Sequence, residues 1–119
     1  MKKQALIGLA ALLMSCTKTY NTPEAKIGLA QCLVDKGAVM YGAEWCGYCA
    51  TEKKEFGPAW EILKKNYVEC SDEGSKEEQQ KCEREGIRTF PAWKFRNGKT
   101  VKGYHPNFLP TLAEASGCD

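Results

Sequence analysis

The chain has 119 residues, 43% of them hydrophobic, and a formal net charge of +2. This length suits one small domain. Acidic and basic residues are interspersed, as at Glu83, Arg84 and Glu85, which indicates a solvated surface and argues against a nucleic-acid partner. Seven cysteines are many for so short a chain. They indicate metal ligands or catalytic thiols in a reducing compartment and structural disulfides in an oxidising one.

The N-terminal segment has the pattern of a secretory signal peptide. Two lysines precede an apolar run of about ten residues, which is too short to cross a bilayer, since a spanning helix takes about 20. The run ends in L-M-S-C, which resembles the lipobox of bacterial lipoproteins. We therefore predict a signal peptide over 1–15, lipidation of Cys16, a polar tether over 16–22 and a folded domain over 23–119. Plain secretion and an uncleaved anchor are the alternatives.

The domain begins with a predicted helix and a strand. Thr22 is suited to cap the helix and Pro23 to its first position. Apolar residues recur at helical spacing over 27–34, and Gly37 is a typical C-terminal stop. The short apolar run that follows, over 38–42, predicts a buried strand.

The sequence C-G-Y-C, from Cys46 to Cys49, lies where this strand gives way to a charged helical pattern that ends near Phe56. The Cys46 sulfur is therefore expected at a helix N-terminus, where free N–H groups and the helix dipole favour a thiolate, the nucleophile of disulfide exchange. Cys49 lies one turn further on. We predict a two-cysteine redox centre, with Cys46 as the exposed attacking thiol and Cys49 as the buried resolving thiol.

The rest of the chain predicts alternating strands and helices. Asn97-Gly98 is a strong hairpin signal between two of the strands. Strand–helix–strand units favour parallel pairing and the hairpin adds antiparallel strands, which predicts an α/β fold with helices on both faces of a mixed sheet. The predicted elements are a strand over 67–70, a helix over 76–85, strands over 92–95 and 100–104, and a helix over 107–116.

Two motifs resemble those of the thioredoxin family. A-E-W-C-G-Y-C at 43–49 resembles the signature A-E-W-C-G-P-C, and G-I-R-T-F-P-A at 86–92 resembles the second landmark, G-I-R-x-x-P-T, whose proline is cis and faces the redox cysteines. The resemblance covers 38–116. It implies a thioredoxin-like fold with a mixed four-stranded sheet flanked by helices and without the first strand of thioredoxin. It also implies a protein thiol-disulfide oxidoreductase that uses no cofactor.

The same resemblance predicts the substrate contacts. A cis peptide at Pro91 exposes the preceding backbone, so that Phe90 can pair with an extended substrate beside Cys46. Trp45 and Tyr48 flank the attacking sulfur. The alternatives are an ordinary proline at a strand edge and simple packing of Phe90.

A narrower resemblance concerns the thioredoxin-like domain that is fused to, or partnered with, bacterial and plant homologues of vitamin K epoxide reductase. Those membrane proteins pass electrons from this domain to quinone. The resemblance is carried by M-Y-G at 40–42, the W-C-x-x-C core, F-G at 56–57, Y-V-E-C at 67–70, Cys82, F-P-A-W at 90–93 and S-G-C at 116–118. The sequence has no multi-span membrane segment, so we expect such a reductase to be a separate polypeptide.

Two positions depart from the thioredoxin pattern. Met40 stands where thioredoxin has a buried aspartate, which leaves the proton acceptor for Cys49 unassigned. Tyr48 replaces a proline that makes thioredoxin strongly reducing, and C-G-Y-C is similar to the centre of periplasmic disulfide isomerases. Both departures argue against a general cytosolic reductant.

Four cysteines remain, and they allow three pairings. We choose Cys70 with Cys82 and Cys32 with Cys118, whose loops stabilise a domain by roughly 3 and roughly 4 to 5 kcal/mol in the chain-entropy model. The alternative is a second redox pair at Cys70 and Cys82. A zinc site is disfavoured because these cysteines lack the short spacing of zinc knuckles, so we predict no metal.

Together these features predict an extracytoplasmic, lipid-anchored oxidoreductase that acts on cysteines of secreted or membrane proteins. A quinone-linked membrane homologue of vitamin K epoxide reductase would re-oxidise it. A reductase or isomerase of the same fold is one alternative. A lipoprotein that binds copper or zinc through Cys46 and Cys49 is another, since thiolates suit these ions.

Overall fold

A computed structural model describes residues 19–119. The predicted signal peptide and Cys16 lie outside the described residues. The secondary structure follows the predicted order, with helices α1 Pro23–Asp35, α2 Gly47–Phe56, α3 Trp60–Leu63, α4 Lys76–Arg84 and α5 Phe108–Ser116, and strands β1 Val39–Gly42, β2 Tyr67–Glu69, β3 Ala92–Lys94 and β4 Thr100–Lys102. In residues 19–119, no helix combines the length and the apolar character that crossing a bilayer requires.

The four strands form one mixed sheet in the order β2-β1-β3-β4. Strand β1 pairs in parallel with β2 and antiparallel with β3, which forms a hairpin with β4. Because side chains alternate along a strand, Met40 faces a large core that includes Phe56 and Trp93, and Tyr41 faces a smaller one that includes Cys82. This is the predicted thioredoxin-like fold. The first element of the described chain is the helix α1, as expected for a chain without the first strand of thioredoxin.

The two strands of the hairpin, β3 and β4, end earlier than predicted. Gly103 has a φ of 77°, which turns the chain before Tyr104. The amide of Gly103 donates to the carbonyl of Pro91 at 2.7 Å. At the other end, the Phe95 amide bonds to the Lys99 carbonyl and closes the turn. Strand β4 therefore stops at Lys102.

The packed domain extends further toward the N-terminus than predicted. Tyr20, which falls in the predicted tether, is 7% exposed and packs in the large core. Thr22 caps α1 as expected, because its side chain accepts a hydrogen bond from the Ala25 amide at 3.1 Å. The segment immediately before α1 is thus part of the fold.

Two disulfides connect distant parts of the fold. Cys32 in α1 is bonded to Cys118, just after α5, and Cys70 at the end of β2 is bonded to Cys82 in α4. These are the two predicted pairs. The remaining cysteines of the described chain, Cys46 and Cys49, are both free thiols.

Candidate active site

Cys46 occupies the N-cap position of α2. Its backbone is extended, and its sulfur accepts a hydrogen bond from the Cys49 amide at 3.1 Å. The first turn of a helix has amide groups with no partner inside the helix, and here one of them is directed at the sulfur. The arrangement places Cys46 at the positive end of the helix dipole, with Cys49 one turn away.

The burial of the two thiols corrects one prediction. Cys46 is 8% exposed and Cys49 is 1% exposed, so the attacking thiol is buried rather than exposed. The reason is local, because the bond to the Cys49 amide turns the Cys46 sulfur toward the helix. The flanking side chains of Trp45 and Tyr48 are the solvent-exposed ones, at 70% and 59%. Cys46 is still the more exposed residue of the pair.

Cys49 is held in its protonated form. Burial raises the pKa of the Cys49 thiol to about 12, and its hydrogen bond to Cys46 adds to the effect. A thiol of this kind is a poor nucleophile at neutral pH, because the thiolate is the reactive species. Cys49 must therefore lose a proton before it can attack a disulfide.

The structure reveals a buried carboxyl group that was not among the predicted site residues. Glu52, one turn beyond Cys49 in α2, is 1% exposed. Its Oε1 accepts a hydrogen bond from Nε1 of Trp93 at 2.8 Å. Burial raises the pKa of Glu52 to about 7, and the bond from Trp93 partly opposes this rise. The available signal was the spacing C-x-x-E, which puts both side chains on one helix face.

The pKa of Glu52 predicts a specific dependence of stability on pH. In the unfolded chain this carboxyl has its ordinary value of 4.5, so between pH 4.5 and about 7 the folded state binds more protons. The stabilisation is complete below pH 4.5 and is lost as the pH rises to about 7, by roughly 3 kcal/mol in total. Glu52→Gln should lack this loss.

Urea unfolding of wild type and Glu52→Gln at about pH 4.5 and about pH 8 tests this prediction. The variant should match the wild type at the lower pH and exceed its free energy of unfolding at the higher one. Glu55→Gln, an exposed position on the same helix, is the control. An equal difference at both pH values would contradict the assigned pKa.

Glu69 connects the segment from Glu44 to Cys46, here called the redox turn, to the end of β2. Its Oε2 accepts from the amides of Glu44 and Ser71 at 2.7 and 3.1 Å, and its Oε1 accepts from the Tyr67 hydroxyl at 2.8 Å. Burial raises the pKa of Glu69, but the hydrogen bonds from Ser71, Tyr67 and Glu44 outweigh it and lower the pKa below the usual value. Glu69 is therefore an ionised anchor for the turn before Cys46.

Gly42 provides the space beside the resolving thiol. A Cβ atom on this residue would lie 2.8 Å from the Tyr67 hydroxyl and 3.1 Å from the Cys49 sulfur. The first distance is shorter than Cβ contacts in proteins and the second is tight, so a side chain here would require Tyr67 and Cys49 to shift. The hydroxyl of Tyr67 and the sulfur of Cys49 border the same narrow space.

The predicted substrate contacts form an aromatic rim around the turn. Trp45 packs edge-on against Phe90 with ring centroids 5.7 Å apart, and the Phe90–Pro91 peptide bond is cis. Tyr48 stacks on Tyr104, with centroids 4.7 Å apart and planes 6° from parallel. Tyr104 was not among the predicted site residues, and the loop after β4 brings it to the site.

Within residues 19–119, no group of three or more histidine, cysteine or acidic side chains is arranged to hold a metal ion. His105 lies on the surface, where its Nε2 is 3.1 Å from the Lys102 carbonyl oxygen. The cysteines other than Cys46 and Cys49 in this range are consumed by disulfides. Cys46 and Cys49 are thus the free thiols of this part of the chain.

Comparison with known proteins agrees with this geometry. No family model matches the chain. The chain is similar to the thiol-disulfide oxidoreductase LTO1 of Arabidopsis thaliana, with 40% identity over 95 residues, which is 76% of this chain and 24% of the relative. The chain thus spans about a quarter of the length of that relative.

Proposed function

We propose that this protein is a thiol-disulfide oxidoreductase that exchanges disulfides with cysteines of secreted or membrane proteins through Cys46 and Cys49. The observation that carries the proposal is the Cys46 sulfur at the N-cap of a ten-residue helix, bonded to the amide of Cys49. The similarity to a named thiol-disulfide oxidoreductase supports it.

In the oxidising direction the enzyme begins with a Cys46–Cys49 disulfide. A substrate thiolate attacks the Cys46 sulfur, forms a mixed disulfide and displaces Cys49, which takes up a proton. A second substrate thiolate then attacks the substrate sulfur of the mixed disulfide and releases the Cys46 thiolate. The substrate gains one disulfide, and the enzyme holds the two electrons as a pair of reduced cysteines.

The aromatic rim is suited to hold an extended peptide during these steps. Trp45 and Tyr48 expose large apolar surfaces on either side of Cys46, and Phe90 precedes the cis bond at Pro91. Aromatic side chains contribute much contact area at a low cost in conformational entropy. We propose that the backbone at Phe90 and the rings of Trp45 and Tyr48 bind the segment that carries the substrate cysteine.

We further propose that the protein works outside the cytoplasm on a lipid anchor at Cys16. The apolar leader and the lipobox-like L-M-S-C support this location. So do the two disulfides outside the redox centre, because such bonds persist mainly in oxidising compartments. Oxidation of substrates leaves the enzyme reduced, and the resemblance noted above favours a quinone-linked membrane homologue of vitamin K epoxide reductase as its oxidant.

Tyr48 favours a second direction for the same chemistry. The C-G-Y-C centre is similar to that of disulfide isomerases, in which the reduced form attacks wrongly paired disulfides. The reduction potential of the Cys46–Cys49 bond separates the two directions. A reduction potential of about −120 mV indicates that the enzyme forms disulfides, and one of about −270 mV indicates that it reduces them.

A stoichiometric transfer assay tests the proposal. Oxidised enzyme is mixed with a reduced, denatured protein that contains cysteines, and thiols on both are counted by alkylation and mass measurement. We expect one substrate disulfide for each Cys46–Cys49 bond reduced. Absence of transfer, together with one tightly bound copper or zinc ion on these two sulfurs, would overturn the proposal in favour of metal binding.

A further inference from the structure

We propose that Glu52 is the proton acceptor for Cys49 when the mixed disulfide on Cys46 is resolved. This inference rests on the proposed function and adds to it the base that deprotonates Cys49. It also differs in position from the thioredoxin arrangement, because the β1 residue that would carry an acid is Met40, and the carboxyl group comes from α2 instead.

The two groups lie on the same face of the same helix. Side chains three positions apart on a helix have Cβ atoms about 5 to 6 Å from each other. Cys49 and Glu52 are each 1% exposed, so the proton of Cys49 has no direct route to bulk water. Their charges also interact, since Glu52 adds to the rise in the pKa of Cys49 that burial and Cys46 produce.

The surroundings of Glu52 leave its carboxyl free to accept a proton. Among the hydrogen bonds of the described chain, its side chain has one donor, Trp93 Nε1, and no ion pair. The faces that α1, α3 and α5 bury in this core carry no titratable side chain. On the sheet, β1 contributes Met40 and β3 contributes Trp93, neither of which titrates near neutral pH.

The other candidate for the proton acceptor is the pair Tyr67 and Glu69 on β2. Lys53 of α2 lies beside this pair, with its Nζ 3.7 Å from the centroid of the Tyr67 ring. The Tyr67 hydroxyl borders the space beside Cys49 and donates to Glu69. Glu69, however, already accepts from two amides and this hydroxyl, which favour its ionised form. A carboxylate stabilised in this way is a weak base. Glu52 has one such bond and is the stronger acceptor.

The proposed step balances as follows. In the mixed disulfide, Cys49 transfers its proton to the Glu52 carboxylate. The Cys49 thiolate attacks the Cys46 sulfur, so that the Cys46–Cys49 bond forms and the bond from Cys46 to the substrate sulfur breaks. The substrate leaves as a thiolate and takes a proton from water. In the reverse direction, protonated Glu52 returns the proton to Cys49 as it is displaced.

Reaction of the reduced enzyme with 5,5′-dithiobis(2-nitrobenzoate) separates attack from resolution in one stopped-flow trace. The first thionitrobenzoate is released when Cys46 attacks and the second when Cys49 resolves. We expect Glu52→Gln to leave the first phase unchanged and to slow the second roughly 100-fold at neutral pH, the range of general base catalysis. Glu55→Gln, exposed on the same helix, should leave both phases unchanged.

The pH profile distinguishes a base from a structural residue. The wild-type second phase should rise with pH and level off above an inflection near 7, and this inflection should be missing in Glu52→Gln. Trp93→Phe removes the bond that lowers the pKa of Glu52, so it should move the inflection upward. This variant also tests the proposal if Glu52→Gln fails to fold.

Three results would overturn the inference. One is a second phase in Glu52→Gln with the wild-type rate and inflection, which would leave the proposed function intact. Another is equal slowing of both phases, which indicates a structural role. The third is an unmoved inflection in Trp93→Phe. If the wild-type enzyme releases no thionitrobenzoate that depends on Cys46, the proposed function itself fails.

Discussion

Replacing Cys46 by alanine should abolish disulfide exchange, whereas replacing Cys49 by alanine should leave an enzyme that accumulates mixed disulfides. The asymmetry follows from the geometry. Cys46 lies at the N-cap of α2 and is the more exposed residue of the pair. Cys49 is enclosed and held protonated by burial, so it cannot take over the attack. Within residues 19–119, the loss of Cys49 leaves no second free thiol to close on Cys46.

Non-reducing gels and intact mass measurement after incubation with disulfide-containing proteins test this prediction. Cys49→Ala should carry one substrate per chain, in an adduct that dithiothreitol removes. Cys46→Ala should exchange at the background rate, and the double variant should form no adduct. Adducts of comparable yield on Cys46→Ala would show that the roles have been assigned to the wrong residues.

Removing the Cys32–Cys118 disulfide with a pair of alanines should lower the free energy of unfolding by about 4 to 5 kcal/mol in the chain-entropy model. The bond spans 86 positions and joins α1 to the end of α5, so its loss frees nearly the whole described chain when the protein unfolds. Small domains are stable by only about 5 to 15 kcal/mol, so this variant should be close to unfolding at physiological temperature.

Urea denaturation without reductant measures this loss, and the Cys70→Ala/Cys82→Ala variant is the matched comparison. Its bond spans 12 positions, and the same model gives a loss of roughly 3 kcal/mol. Loss of the Cys32–Cys118 bond, which closes the longer loop, should therefore lower the free energy of unfolding more. A loss smaller for Cys32 and Cys118 than for Cys70 and Cys82 would contradict the prediction.

Much of the fold follows from local signals in the sequence. Thr22 and Pro23 begin α1, the Asn97-Gly98 turn joins β3 to β4, and Gly117 ends α5 with a φ of 86°. Each signal works through the conformation or hydrogen bonds of residues close in sequence. The redox turn belongs to the same class, because a strand that runs into a helix places Cys46 at the helix N-terminus.

The features that the sequence did not predict depend on contacts between distant residues. Glu52 has the pattern of a solvated helix position, and it is buried because Trp93, 41 positions away, supplies a hydrogen bond. Glu69 reaches the Glu44 amide across 25 positions. The burial of Cys46 depends on the orientation of its side chain, which the spacing C-x-x-C does not determine.

The central claim is that Cys46 and Cys49 interconvert between a disulfide and two thiols while the other disulfides persist. Equilibration in glutathione buffers of stepped potential, followed by differential alkylation and peptide mapping, tests it most directly. The account predicts one two-electron transition on the peptide that contains both cysteines, with Cys32, Cys118, Cys70 and Cys82 protected throughout. A Cys46–Cys49 bond that forms at no potential, or a transition confined to Cys70 and Cys82, would contradict it.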